Sequence, residues 1–165
     1  MNIKTMTCVA FMVTVAFAAA AADKVWIGAG GDGKWSNPAN WEGVAAEPAL
    51  VDGDTVVFTN DSAVTYATEN NFEGLSLAAI VALADCTVTV DGQPLTLSGA
   101  TSGTYKNHCI YNRSTSLTLN VPIIVSKSAT IDFNGKSTTL NGDVTLADNV
   151  TLKFAHAYAE AGTAS

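Results

Sequence analysis

Basic residues are scarce in this sequence of 165 residues: eight Lys and Arg stand against fifteen Asp and Glu, a formal charge of −7. They are scattered singly along the chain. That leaves no basic patch to hold a nucleic-acid backbone or an anionic lipid surface. Cysteine is nearly as sparse, with three residues and no CxxC spacing, which argues against a redox centre or a thiolate metal site. GxSxG, HExxH, a Walker loop and a complete calcium loop are all missing. The chain therefore carries none of the compact signatures of nucleophilic, metal-dependent or phosphate chemistry. Metal and cofactor are both expected to be absent.

Methionine stops at Met12, and the one long apolar run lies at the start. Lys4 precedes CVAFMVTVAFAAAA, whose alanines continue to Ala22. A positive n-region, an apolar stretch and small residues before Asp23 read as a signal peptide over 1–22. The stretch is short for a membrane-spanning helix. Export is the expectation, to a secreted or bacterial cell-surface location with no stable membrane insertion of the mature chain. The remaining chain, about 143 residues, suffices for one modest domain with a core.

What the sequence has in quantity is short strands. From Asp85 to Phe154, apolar-polar pieces alternate with small polar turns such as Asp91-Gly92, Asn134-Gly135 and Asn141-Gly142. Similar pieces return at steps of roughly 21 or 22 along the chain, with Leu97, Leu119 and Leu140 as one series. Val88, Ile110, Ile131 and Leu152 form a second, and Val121 with Ile123 set against Val144 with Leu146 a third. Two or three strands per period describe the coil of a β-solenoid, which buries its apolar face only by stacking on its neighbours. The alternative is a β-sandwich, which also reads as many short strands. Cys86 and Cys109 are separated by little more than one such step. They are expected either to form a disulfide between adjacent coils or to be two buried thiols.

All three tryptophans, Trp26, Trp35 and Trp41, fall within sixteen residues around a glycine-rich turn. KVWIG reads as a strand and Lys34 to Trp41 as a hook around Asn37-Pro38. Such a cluster suits a miniature core that caps the first coil, the rival being an exposed aromatic platform for carbohydrate. The glycines of GAGGDG loosely match a dinucleotide loop, but no helix follows them.

Trp26-Ile27-Gly28, Gly30, Gly33, Trp35-Ser36 and Asn40-Trp41 form a W-x-G…W-S…N-W opening. Pro48 and Gly53-Asp54-Thr55-Val56-Val57-Phe58 follow it. Together they resemble the start of bacterial autotransporter-associated β-strand-repeat proteins. The resemblance implies a right-handed parallel β-helix of the autotransporter-passenger kind, exported and displayed at the cell surface, and says almost nothing about activity.

Between these regions, Glu42 to Gly53 reads as a loop, Asp54 to Thr59 and Ala63 to Ala67 as strands, and Glu69-Asn70-Asn71 as a turn. FEGLSLAAIVALAD reads as a strand over Leu75 to Leu77 and then a turn or helical turn. Ser98 to Asn107 is an inserted loop, a common binding face in solenoids. Beyond Phe154 the pattern decays into an alanine-rich tail.

Three aspartates at turns, Asp91, Asp132 and Asp143, are the carboxylates to weigh for glycoside hydrolysis or polysaccharide lysis. Asp91 and Asp132 are near two coils apart in the sequence, or about 9.6 Å at the usual strand separation. Asp before Gly is also an ordinary turn former. His108 and Cys109 are adjacent and so face opposite ways on a strand. Asp52-Gly53-Asp54 lacks the further ligands that calcium requires.

The expected architecture is all-β: a short right-handed parallel β-helix with a Trp-rich N-terminal cap. Residues 23–58 form the cap and first strands, 59–154 the coils and 155–165 a weakly ordered tail. The expected role is a non-catalytic exported scaffold of adhesin type, meeting glycans or surface proteins, with end-to-end self-association through an unpaired strand edge. The alternatives are a carbohydrate-active β-helix enzyme and a glycan-binding module.

Overall fold

The computed structural model describes residues 21–60, 62–134 and 136–156. Residues 1–20 of the signal peptide expected over 1–22 and residues 157–165 of the tail expected over 155–165 lie outside the described residues, as does Gly135 of the Asn134-Gly135 turn. The strands are β1 (Asp23–Trp26), β2 (Thr55–Phe58), β3 (Thr65–Asn70), β4 (Ser76–Leu77) and β5 (Ala79–Ala82). They continue with β6 (Thr87–Gly92), β7 (Leu95–Leu97), β8 (His108–Asn112), β9 (Ser116–Leu119) and β10 (Ile123–Val125). The last four are β11 (Ala129–Asp132), β12 (Ser137–Leu140), β13 (Val144–Leu146) and β14 (Leu152–Ala155).

From β2 onward the chain visits three sheets in rotation. Sheet A holds β1-β2-β5-β8-β11-β14, sheet B β3-β6-β9-β12 and sheet C β4-β7-β10-β13. The pairings within all three are parallel. A sandwich is built from antiparallel strands, so this is a three-sided, right-handed β-helix. Alternate residues point inward and stack as apolar columns. Val56, Ile80, Ile110 and Ile131 line sheet A, Val90 and Leu119 sheet B, and Leu77, Leu97 and Val125 sheet C, all buried.

The repeat is real, but its register differs from a fixed offset. Leu119 stacks on Leu140 and Ile110 on Ile131, as the repeat requires. Leu97, however, lies in sheet C against Val125, and Val88 in sheet B against Leu117, both well beyond one repeat step. Ile131 pairs with Phe154 and not Leu152, while Ile123 and Val125 pair with Val144 and Leu146. The insert over 98–107 lengthens one turn, so a constant offset slides from one sheet to the next.

That insert folds back on the sheet while 101–104 stay exposed. It bridges to itself at Ala100 and Lys106 and lies on the outer side of sheet A. There Ala100 and Tyr105 pack with Val57, Val81 and Tyr111 in a second, smaller core, with Tyr105 and Tyr111 ring centroids 5.4 Å apart. Its cover explains β5, buried at all four positions. A strand apolar on both faces loses its alternation, and AAIVA then reads like a helix. Glu69 and Asn70 also differ from expectation, since they extend β3 and do not form a turn.

At two corners between sheets B and C, glycines let the coils close. A Cβ on Gly92, where φ is +105°, would meet Asn70 O at 2.2 Å, and one on Gly142 would meet Val121 O at 2.1 Å. Buried asparagines brace other turns. Asn70 Oδ1 accepts from Phe72 N while its Nδ2 donates to Gln93 O. Asn112 does the same with Ser114 N and Ser137 O. Each ties its own turn to the coil above.

The two ends are built differently. At the N-terminal end Trp26, Trp35 and Trp41 are buried, at 2%, 0% and 1% exposure. They form the expected cap: Trp41 stands edge-on to Trp26 at 4.9 Å and 84°, and its Nε1 donates to Trp35 O at 2.7 Å. A 3-10 turn over Pro38–Asn40 holds the hook in place. All three starting edges have partners, through Trp41 against β1, Lys34 against β3 and Gly53 N donating to Ser76 O of β4. At the other end the inward residues of the last coil are uncovered among the described residues. Val144, Leu146 and Phe154 are 39%, 43% and 65% exposed.

Candidate functional site

The three aspartates do not form a cleft. Asp91 closes β6 at the corner between sheets B and C, whereas Asp132 closes β11 at the corner between sheets A and B. The chain between them includes the insert, so they are not two coils apart in one column. Asp143 precedes β13 and is exposed. Asp132 accepts from Asn134 N at 2.9 Å and lies 3.8 Å from His108 Nε2, a contact on the outer face of sheet A.

Cys109 occupies a bulge in β8, where the register shifts between Thr130 and Ile131 of β11. The bulge turns its thiol into the core, away from His108. Burial pushes that thiol up from 9.0 to about 11, and Cys86 is raised for the same reason. Both cysteines are free, Cys86 Sγ donating to Leu83 O and Cys109 Sγ to Thr130 O. They are the buried thiols of the two expectations and not the disulfide. Asp52 and Asp54 also hold backbone: Asp54 is fully buried and accepts from Ala22 N and Val51 N, and Asp52 accepts from Ser76 N. Among the described residues no group of three or more His, Cys, Asp or Glu is placed to hold a metal ion. With all three tryptophans buried, the exposed aromatic platform is not formed.

The most regular surface is the outer face of sheet B, assembled by the pairings of β3, β6, β9 and β12. One outward column is Thr65, Thr87, Ser116 and Ser137. The next is Ala67, Thr89, Thr118 and Thr139. The third is Glu69 and Asp91, carried on past the strand ends by Asn120 and Asn141 through side-chain hydrogen bonds. Parallel strands repeat at about 4.8 Å and outward residues at about 6.6 Å along each strand. The result is a flat lattice of hydroxyls edged by carboxylates and amides. Period-two Thr in TVTV, SLTL and STTL was the legible signal for it.

The third column is a hydrogen-bonded ladder. Asn120 Nδ2 donates to Asp91 Oδ1 and Asn141 Nδ2 to Asn120 Oδ1, both at 2.7 Å. Lys34 bridges to Glu69 at its foot. Beside it, Asp32, Glu69 and Asp91 border a shallow opening with Ala67, Thr68 and Gly92, about 360 Å³ in volume. Glu69 and Asp91 are direct neighbours on adjacent strands, a juxtaposition hidden when Glu69 is read as a turn. Asp32 is held below its ordinary value by bonds from Lys34 N, Asn40 and Asn37. That is the opposite of what a general acid requires.

No family model matches the chain, and no curated protein or solved structure matches it either. The fold itself, a parallel β-helix closed by a Trp-rich cap, is of the broad class that autotransporter-like passengers use.

Proposed function

We propose that this chain is a non-catalytic, exported scaffold whose outer sheet B face binds extended glycans at a bacterial surface, in the manner of an autotransporter passenger. The hydroxyl lattice carries the reading: it offers hydrogen-bonding groups at a fixed repeat on a rigid sheet, which suits a partner that itself repeats. The opening motif around Trp26 to Trp41 supports the family kinship because it builds the cap that such a helix requires. The run before Asp23 supports export.

Retention of the purified protein on insoluble cellulose and chitin tests the reading. Thr89→Lys with Thr118→Lys is expected to weaken retention at least tenfold, while Thr96→Lys on the outer face of sheet C leaves it unchanged. Equal loss from both faces, or no retention at all, overturns the assignment. Release of new reducing ends from either polysaccharide would move the reading to an enzyme and make Glu69 and Asp91 the residues to replace. Export is checked on protein recovered from the outside of a bacterial host, whose N-terminus is expected near Asp23.

A further inference from the structure

The end of the helix that the described residues leave uncovered is a surface with a specific shape and charge, separate from the sheet B face. Leu140, Val144, Leu146, Leu152 and Phe154 continue the inward columns of the coils below, and among the described residues β12, β13 and β14 each present an outer strand edge. Exposed parallel edges over an apolar cross-section are a template for further pairing.

We propose that this end binds a second copy of the chain, end face to end face about a two-fold axis. The opposite end cannot serve as the partner surface, because Trp41, Lys34 and Gly53 already occupy the edges of the first coil. A head-to-tail stack is thereby blocked, leaving the isologous arrangement.

Charge points the same way. Residues 23–91 carry two basic and eleven acidic side chains, whereas 92–156 carry five basic and three acidic. Joining the uncovered ends keeps the two strongly acidic halves far apart. The three corners of the end face carry Lys136, Asp143 and Asp148, all exposed. A two-fold axis lying in that face exchanges two corners and returns the third to itself. Two of its three settings therefore set Lys136 of each copy against an aspartate of the other.

The area is small. One coil folded into three sides of about 23 Å encloses about 230 Å², so the two faces meet over about 460 Å², below the floor for a tight specific interface. Association is accordingly expected to be weak and transient, at about 100 μM or above.

Sedimentation equilibrium of the full chain from about 5 to 500 μM provides the test. The expected result is a monomer–dimer equilibrium that stops at the dimer. Lys136→Asp, which makes all three corners acidic, is expected to weaken dimerisation at least tenfold. Adding Asp143→Lys and Asp148→Lys inverts the corner pattern and is expected to restore it. Leu146→Lys is expected to abolish the dimer with the circular dichroism of the monomer unchanged. A monomer throughout overturns the proposal and leaves this end to chain beyond His156. Oligomers larger than the dimer overturn it by requiring the closed end. Failure of the corner changes to act places the contact elsewhere and overturns it too.

Discussion

The first and last coils share one design and differ in what lies beyond them. Phe58 in the first is an inward residue covered by tryptophan, its ring centroid 6.2 Å from Trp26 and 6.5 Å from Trp35, and it is fully buried. Phe154 in the last is also inward, stacked on Phe133 at 5.9 Å, yet 65% exposed. The side chain is the same and both face inward on sheet A, Phe58 in the column of Ala82 and Asn112 and Phe154 in the column of Val56, Ile110 and Ile131. The difference in exposure therefore follows what covers each end. In a stacked fold, stability belongs to interfaces between coils, and each end is as strong as its cover.

The sharpest way to break this comparison is to remove one ring at each end. Trp41→Ala is expected to cost about 3–5 kcal/mol in urea unfolding, through the lost area, the cavity and the donor to Trp35 O. Phe154→Ala should cost less than about 1 kcal/mol, because most of its surface is already in water. Equal losses would mean that the ends are equivalent in solution.

Cys109, in the middle of the stack, supplies a reference with a pH signature. The fold keeps its thiol neutral, with its value raised from 9.0 to about 11. The unfolded chain loses that proton earlier, so this contribution is complete below about pH 9 and is lost as pH rises through about 11. The stability advantage over Cys109→Ala is expected to shrink by about 2–3 kcal/mol across that window. An advantage that stays constant to pH 11 would show that the thiol is not shielded as a core group should be.

Asn112→Ala, also within the stack, is expected to cost about 1–3 kcal/mol by stranding Ser114 N and Ser137 O. The finest distinction lies inside the cap. Trp35 Nε1 is buried with no hydrogen-bond partner, whereas Trp41 Nε1 is satisfied. Trp35→Phe should therefore cost less than Trp41→Phe, by about 1 kcal/mol. The reverse order would show that Trp35 is held by more than ring packing.

How much of this was written in the sequence depends on what each residue answers to. The cap was legible because three tryptophans and their glycines act over sixteen residues. The coil was legible because inward Leu, Ile and Val alternate with Thr. The register was only half legible: Leu119 to Leu140 follows from spacing, but Leu97 to Val125 depends on where the insert folds. β5 was hidden because its outer face is covered by Tyr105 and Ala100, residues from a later coil. The candidate surface was visible as Thr-rich alternation, whereas the Glu69–Asp91 pair was not, since adjacency across coils is a property of the stack.

The ladder of Asp91, Asn120 and Asn141 has one more property. An ionised carboxylate can only accept, so Asn120 must turn its amide nitrogen toward Asp91 and its oxygen away, and Asn141 must follow suit. One acid thus fixes the flip of two amides on successive coils. The column has a sense of direction, like a row of arrows laid from a single fixed tail, and a surface that otherwise looks the same up and down acquires a polarity a partner can read.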